Sequence, residues 1–379
     1  MPVFDQGYQH WQGTLSGHAG RWLAIARQGI KAQLRNRRTK YLVIAAWTPA
    51  LVLAAFLALW GLFEQKADVL KPFMDVIKTV LPLEIFEGPR SFRTSLWTIA
   101  FDAFLWIETG LALILVLLVG PDLISQDLRF NAIPLYLSRP LLRFQYFLGK
   151  LGVIVGFLAM VTVVPAFIAY VVGVSFSLDW SVVQDTWRVL AGSMVYGVVV
   201  AVVCGLIMLA FSSLSRNSRA VAMLWVALWL ITGVIAGALV DSTRGRFDPD
   251  SSSSKESDRW WALSFGANLN RLREAALNTP EAYRQVVTSF QSAAAQAAEM
   301  AQGQLGGRNR GPFGLPFGPR RRPPATPPPP TPPGGPPAMF DSRINPPFPW
   351  TWSAGILTGL SLLSVLVLSN RIKSLDRLR

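Results

Sequence analysis

The stretch WTIAFDAFLWIETGLALILVLLVG (Trp97–Gly120) decides the fold. At ~1.5 Å per residue it can cross a hydrocarbon core of about 30 Å as a helix. Lipid offers a backbone no hydrogen bonds, and the block lacks the alternation of a barrel strand, so it must close its own bonds helically. Working outward, the same signature recurs at Tyr41–Phe63, Gly149–Phe176, Arg188–Phe211, Ala220–Val240 and Thr351–Ser369. The composition agrees. Of 379 residues 51% are hydrophobic and 15% charged, with a mean hydropathy of +0.35, whereas soluble chains carry about 25% charged residues. An ordinary soluble enzyme is excluded. Fourteen Trp, many near block ends, fit an interfacial aromatic belt. The expectation is an all-α integral membrane protein with six transmembrane helices.

Lys and Arg in the short loops set the orientation. Arg21, Arg27, Lys31, Arg35, Arg37, Arg38 and Lys40 precede the first span, opposed only by Asp5. Arg129, Arg139, Arg143 and Lys150 lie between spans two and three, Arg216 and Arg219 between four and five, and Arg371, Lys373, Arg377 and Arg379 follow the last. All four segments fall on one side, which is read as cytoplasmic with both termini. The net charge of +14 is thus explained by membrane orientation and calls for no nucleic acid. The polar, basic first forty residues predict no cleavable signal peptide.

Domain organisation follows. Residues 1–40 hold a cytoplasmic amphipathic helix: Trp22, Ile25, Ala26, Gly29, Ile30 and Leu34 share one face, with Arg27, Lys31, Arg35 and Arg38 opposite. That pattern suits the interface of an anionic membrane, with membrane lipids as its partner. Residues 41–240 carry spans one to five and a connecting loop, 121–148. Residues 241–350 form a long extracytoplasmic insert, whose Arg content does not decide orientation because long loops translocate regardless of charge. Within it, 268–305 reads as one or two soluble helices broken near Asn278-Thr279-Pro280, and 306–349 is Gly/Pro-rich and reads as disordered or polyproline. Residues 351–379 are the last span and a basic tail.

Familiar chemistry is sparse. There is no GxxxxGK[ST], HExxH, CxxC or GxSxG, so nucleotide, metalloprotease, dithiol and serine-hydrolase readings fall away, and no cofactor is expected. His10 and His18 both precede the first span, and Cys204 is the one cysteine. Two acids lie in span two. A charge at mid-membrane costs roughly 2.5–3.5 kcal/mol, so Glu108 should face protein or water. It is read as either a cavity-lining, proton-accepting residue or a hydrogen-bonded packing residue. Asp102, nearer the outer boundary, is read as reaching the interface, and the two are about 120° apart on a helix of ~3.6 residues per turn, too far to pair.

The loop after span two runs Gly120-Pro121-Asp122-Leu123-Ile124-Ser125-Gln126-Asp127-Leu128-Arg129, then Asn131-Ala132-Ile133-Pro134-Leu135-Tyr136-Leu137-Ser138-Arg139-Pro140, then Arg143 to Gly149-Lys150. Pro121 can begin a short helix with Asp122 in its favoured first turn. Leu, Tyr and Phe mixed with Arg give the profile of a protein-contact surface.

This loop resembles that of the permease (transmembrane) subunits of the type-2 ABC exporters. Asp127 matches that family's acid, Leu137 to Pro140 its Pro-Arg region, and Gly149-Lys150 its span start; Asn131-Ala132-Ile133 departs from its Gly-Thr-Leu. The basic amphipathic N-terminal helix, six spans and insert before the last span extend the likeness to most of the chain except 241–350. The resemblance implies a permease without its own ATPase, in a bacterial inner membrane, paired with a second permease copy (homodimer or heterodimer) and with a cytoplasmic ABC ATPase subunit. It implies that the loop is a cytoplasmic coupling helix acting through Asp122, Asp127, Arg129, Arg139 and Arg143. Spans two and five would line the path of an unidentified substrate, with Trp106 and Glu108 on it. Two other readings stand beside it: a proton-coupled secondary transporter using Glu108, and a membrane scaffold that binds a partner through 241–350.

Overall fold

The computed structural model describes residues 20–65, 88–132, 143–244, 258–307 and 343–376. Among them every element is helical: α1 (Arg21–Gln33), α2 (Arg37–Ala45), α3 (Thr48–Glu64), α4 (Pro89–Val119), α5 (Asp122–Arg129), α6 (Arg143–Val161), α7 (Val163–Ser177), α8 (Ser181–Leu214), α9 (Ser218–Arg244), a 3-10 turn (Asp258–Leu263), α10 (Phe265–Leu277), α11 (Thr279–Gly307) and α12 (Trp350–Asp376). Six helical stretches are long and apolar enough to cross a membrane: Arg37–Glu64, Pro89–Arg129, Phe144–Ser177, Ser181–Leu214, Ser218–Thr243 and Trp350–Arg371. Each contains one of the six blocks read from sequence. The helices overrun the apolar blocks because polar end turns continue the same backbone bonding.

Three of these stretches are broken beside a proline, the second at Pro121 between α4 and α5. Pro49 cannot donate to the carbonyl of Ala45; the Thr48 hydroxyl donates to it instead at 2.7 Å, and the chain steps from α2 to α3 at Ala46-Trp47. Pro165 likewise cannot donate to Val161, and α6 gives way to α7 at Thr162. The Thr162 hydroxyl turns back to Leu158 O at 2.8 Å.

Span four, α8, is the most buried of the six and packs against α4, α5, α6, α7, α10 and α12. Val182, Val189, Tyr196, Val200, Cys204 and Met208 are all buried along it. Spans five and six bury least and turn large apolar side chains outward, such as Val234 (69% exposed) and Leu362 (61%). Such apolar exposure suits contact with lipid tails or another protein rather than water.

The amphipathic face of α1 packs on protein. It lies on the start of span three, where Gly149, Gly152 and Gly156 present a small-residue groove. A Cβ on Gly149 would fall 2.7 Å from Ile25, and one on Gly156 would fall 2.7 Å from Ile30. Glycine permits this close approach, and the basic residues Arg27, Lys31, Arg35 and Arg38 stay exposed.

The insert helices do not stand apart as soluble helices. After α9 the chain folds back as the 3-10 turn and α10, which packs against α8, α9, α12 and α4. Ser264 caps α10, and the Phe265 amide donates to Thr232 Oγ1, midway along α9, at 3.2 Å. Phe265 also meets Trp225 edge-on. At the other end a Cβ on Gly192 would lie 2.2 Å from Ala276 O, so α10 runs tight against α8. Asn278, left-handed at φ 54°, turns the chain into α11, which follows the first turns of α4. Of the Gly/Pro-rich stretch 306–349, residues 308–342 lie outside those described.

Candidate functional site

At the loop end of the bundle, α5 is fixed by hydroxyl groups. Ser212 Oγ, at the end of α8, accepts from both Ile124 N and Ser125 N at 3.0 Å and donates to Pro121 O at 2.9 Å. Otherwise-unpaired first-turn donors of α5 are thereby satisfied from a different helix. Ser125 Oγ meets Ser218 Oγ, at the start of α9, at 2.8 Å. Asp122 in the first turn and Arg129 in the last complement the helix dipole.

The residues the family likeness selects divide into two groups. Asp127 turns inward: Lys150 Nζ lies 2.7 Å from its Oδ2, the Tyr146 hydroxyl donates to the same oxygen, and both partners sit on α6. It ties the end of α5 to the start of span three. Asp122 and Arg129 instead line an open cleft of about 790 Å³ with Gln126, Phe130, Arg216 and Arg219. Phe130 is 71% exposed and stacks under the Arg129 guanidinium. Arg129, Arg216 and Arg219 form no ion pair among the described residues, so the cleft is a basic surface with an aromatic at its rim. Arg139 lies outside the described residues, and Arg143 is described only as the first residue of α6. Sequence reasoning passed over Ser212, Ser218 and Tyr146, whose role depends on a distant backbone. Arg216 and Arg219 were visible only as orienting charge.

Trp106 and Glu108 do not share a surface. Trp106 is 56% exposed and, with Ile107, Gly110 and Ile114, forms one wall of a largely apolar cleft of about 420 Å³. Leu269 and Asn270 of α10 form the other wall. Glu108 is fully buried on the opposite side of α4, and neither carboxyl oxygen has a hydrogen-bond partner among the described residues. Beside it in sequence, Thr109 Oγ1 meets Tyr196 OH at 2.8 Å.

Two buried arginine clusters hold the opposite end. Arg93, 2% exposed, donates to both Glu64 oxygens at 2.7–3.0 Å, to Asp185 at 2.8 Å and to Ser181 at 2.9 Å. It joins the ends of spans one, two and four. Asp179, beside it, is held below the usual carboxylate range, first by the Ser181 amide and hydroxyl and then by Arg90 and Arg93. Asp102, read from its position in the block as reaching the interface, is enclosed by protein groups. It is 1% exposed and takes Arg273 Nε at 2.7 Å, Arg343 Nη1 at 3.0 Å and the Tyr283 hydroxyl at 3.3 Å. Three parts of the insert thus converge on one acid of span two. Burial pushes the Tyr283 phenol up to about 12, and it raises Glu274 above the usual carboxylate range despite Arg271, Arg273 and Arg343 nearby.

Compared with known proteins, residues 23–252 match the profile of a family described as ABC-2 family transporter protein. No curated protein matches the chain. The matched span runs from within α1 past α9 and includes α5 and the cleft beside it.

Proposed function

Because the chain belongs to the ABC-2 family of transporter proteins, and is therefore a multi-pass membrane component of an ABC transporter, we propose that it is the permease subunit of an ATP-driven exporter. One observation carries the reading. A short helix between spans two and three is tied to α6 through Asp127 and Lys150 and to α8 through Ser212, while its other side opens as a basic, aromatic-rimmed cleft. A body pressed into that cleft would push on spans three and four through these ties, and on span two, which α5 continues. In this proposal the body is a separate cytoplasmic ATPase, docked on Asp122, Arg129, Phe130, Arg216 and Arg219, with Arg139 and Arg143 on the following segment.

The short-loop charges favour a cytoplasmic placement of that face and of both termini, in a bacterial inner membrane. Two permease copies, like or unlike, would enclose the path, and the Trp106 cleft supports an apolar stretch along it. Glu108 has no exposed surface, which lends the proton-coupled reading less support than the exporter reading. The substrate is not specified by an apolar wall.

The test is purification in mild detergent followed by identification of what accompanies the chain. A stoichiometric ATPase, lost when residues 121–143 are altered while the permease still inserts and elutes as before, is the expected result. A chain that arrives without an ATPase, or whose ATPase partner is indifferent to that segment, overturns the proposal.

A further inference from the structure

At the insert end, a cavity of about 260 Å³ lies beside the Asp102 cluster, on the far side of Asn270 from the Trp106 cleft, with which it shares that residue. Its polar lining includes Arg271, Arg273, Arg343, Asn270 and Glu274; its apolar wall includes Trp261 and Phe348. Three guanidinium groups meet there against the carboxylates of Asp102 and Glu274, so the site carries net positive charge even with both acids ionised.

The arginines are held but not exhausted. Arg273 is fully buried, bound through Nε to Asp102 and through Nη1 to Asn270 at 2.8 Å, and its Nη2 has no hydrogen-bond partner among the described residues. Arg271 donates through Nε to Phe348 O at 2.8 Å and through Nη1 to Glu274 at 3.3 Å. Arg343 Nη1 bridges Asp102 and, at 3.9 Å, Glu274. Among the described residues these bonds leave most guanidinium N–H groups of Arg271 and Arg343 unused. A buried cationic donor without an acceptor is costly, so a fixed fork of this kind is suited to an incoming oxyanion.

Depth supports the same chemistry. Trp261 packs 3.9 Å from the Cβ position of Gly237, only about 9 Å along α9 from Thr243 at ~1.5 Å per residue. The cavity therefore sits just inside one end of the spans, where a bilayer places its phosphates, with an aromatic wall for what is attached to them.

We propose that this cavity binds a phosphate-type oxyanion, supplied by the headgroup of an anionic lipid in the adjoining leaflet or by free phosphate. Arg271 and Arg343 contact it, Arg273 completes the field, and Glu274 opposes it. The inference does not depend on the direction or the fact of transport.

The full chain, in neutral detergent micelles doped with phosphatidylglycerol or phosphatidylcholine, is examined by native mass spectrometry. The expected result is preferential retention of phosphatidylglycerol, falling by about tenfold in Arg271→Gln, the worth of one charge-assisted hydrogen bond. Glu274→Gln removes the competing carboxylate and should raise retention, a gain that a merely structural role would not produce. If neither lipid is preferred but millimolar inorganic phosphate raises the heat-unfolding midpoint of the wild type and not of Arg271→Gln, the anion is free phosphate and the site stands. No preference for phosphatidylglycerol together with no response to phosphate overturns it, as does, where phosphatidylglycerol is preferred, unchanged or reduced retention in Glu274→Gln.

Discussion

The two ends of the bundle are built from the same residue type used in opposite ways. At the insert end, Arg93 and Arg273 are sealed and ion-paired, each joining chain segments that are far apart in sequence. At the loop end, Arg129, Arg216 and Arg219 stand open on a cleft, and the helix beside them is held by serine hydroxyls. A buried arginine resists separation because losing its partner strands a charge. An open one is available to a second body. One end is therefore suited to hold still while the other is pushed.

Removing Arg93 tests the rigid end most severely. Arg93→Ala leaves Glu64, 5% exposed, without its cationic partner, and should cost about 3–5 kcal/mol, seen as loss of the monodisperse peak on heating in detergent. A midpoint unchanged from wild type would erase the contrast between the ends. Reversing the open arginines, Arg129, Arg216 and Arg219 to Glu together, should weaken ATPase capture by about 2–3 kcal/mol, because like charges juxtaposed across an interface cost several. The heat-unfolding midpoint should hardly move, since exposed substitutions usually stay within about 0.5 kcal/mol.

Smaller effects sharpen the comparison. Gly149→Leu forces a side chain into Ile25 and Trp22 and should cost about 1–3 kcal/mol by overpacking, exposing α1 to limited proteolysis at Arg27. Ser212→Ala removes the acceptor for two α5 amides and should cost about 1 kcal/mol, with ATPase stimulation reduced and ATPase capture retained. Glu274→Gln should do least. Its folded carboxyl is raised above the ordinary value, so the fold favours the neutral form: that stability is full below the unfolded value and is lost as pH rises through the folded one. The variant should therefore unfold at a slightly higher temperature near neutral pH, with the difference closing as the solution is acidified.

Much of this was legible in the chain itself. Spans announce themselves because lipid forces the backbone to close its own bonds over a fixed thickness, leaving long apolar blocks; each of the six blocks lies within one spanning helical stretch, though span two runs from Pro89 to Arg129 around its block. Short basic loops and the Pro121-Asp122 helix start were also local signals, as was the turn at Asn278. The candidate site was legible only as a list. Asp122, Asp127 and Arg129 occur in one loop, but nothing local says that the middle one turns inward to Lys150 while the others line a cleft.

What the sequence determined by itself was therefore the class: an all-helical membrane protein whose spans and loop helix match the permease pattern. The tertiary structure alone decided which charges are structural. Asp102 reads as an interfacial acid until Arg273 and Arg343, 171 and 241 residues later, fold back onto it. Residues 268–305 read as one or two soluble helices until Arg273 finds Asp102 on span two, with Arg271 and Glu274 paired beside it. The physical reason is one of range. Backbone satisfaction in lipid is a local demand written into each block, whereas neutralising a buried charge is a pairwise condition between distant parts of the chain, visible only once both are in place.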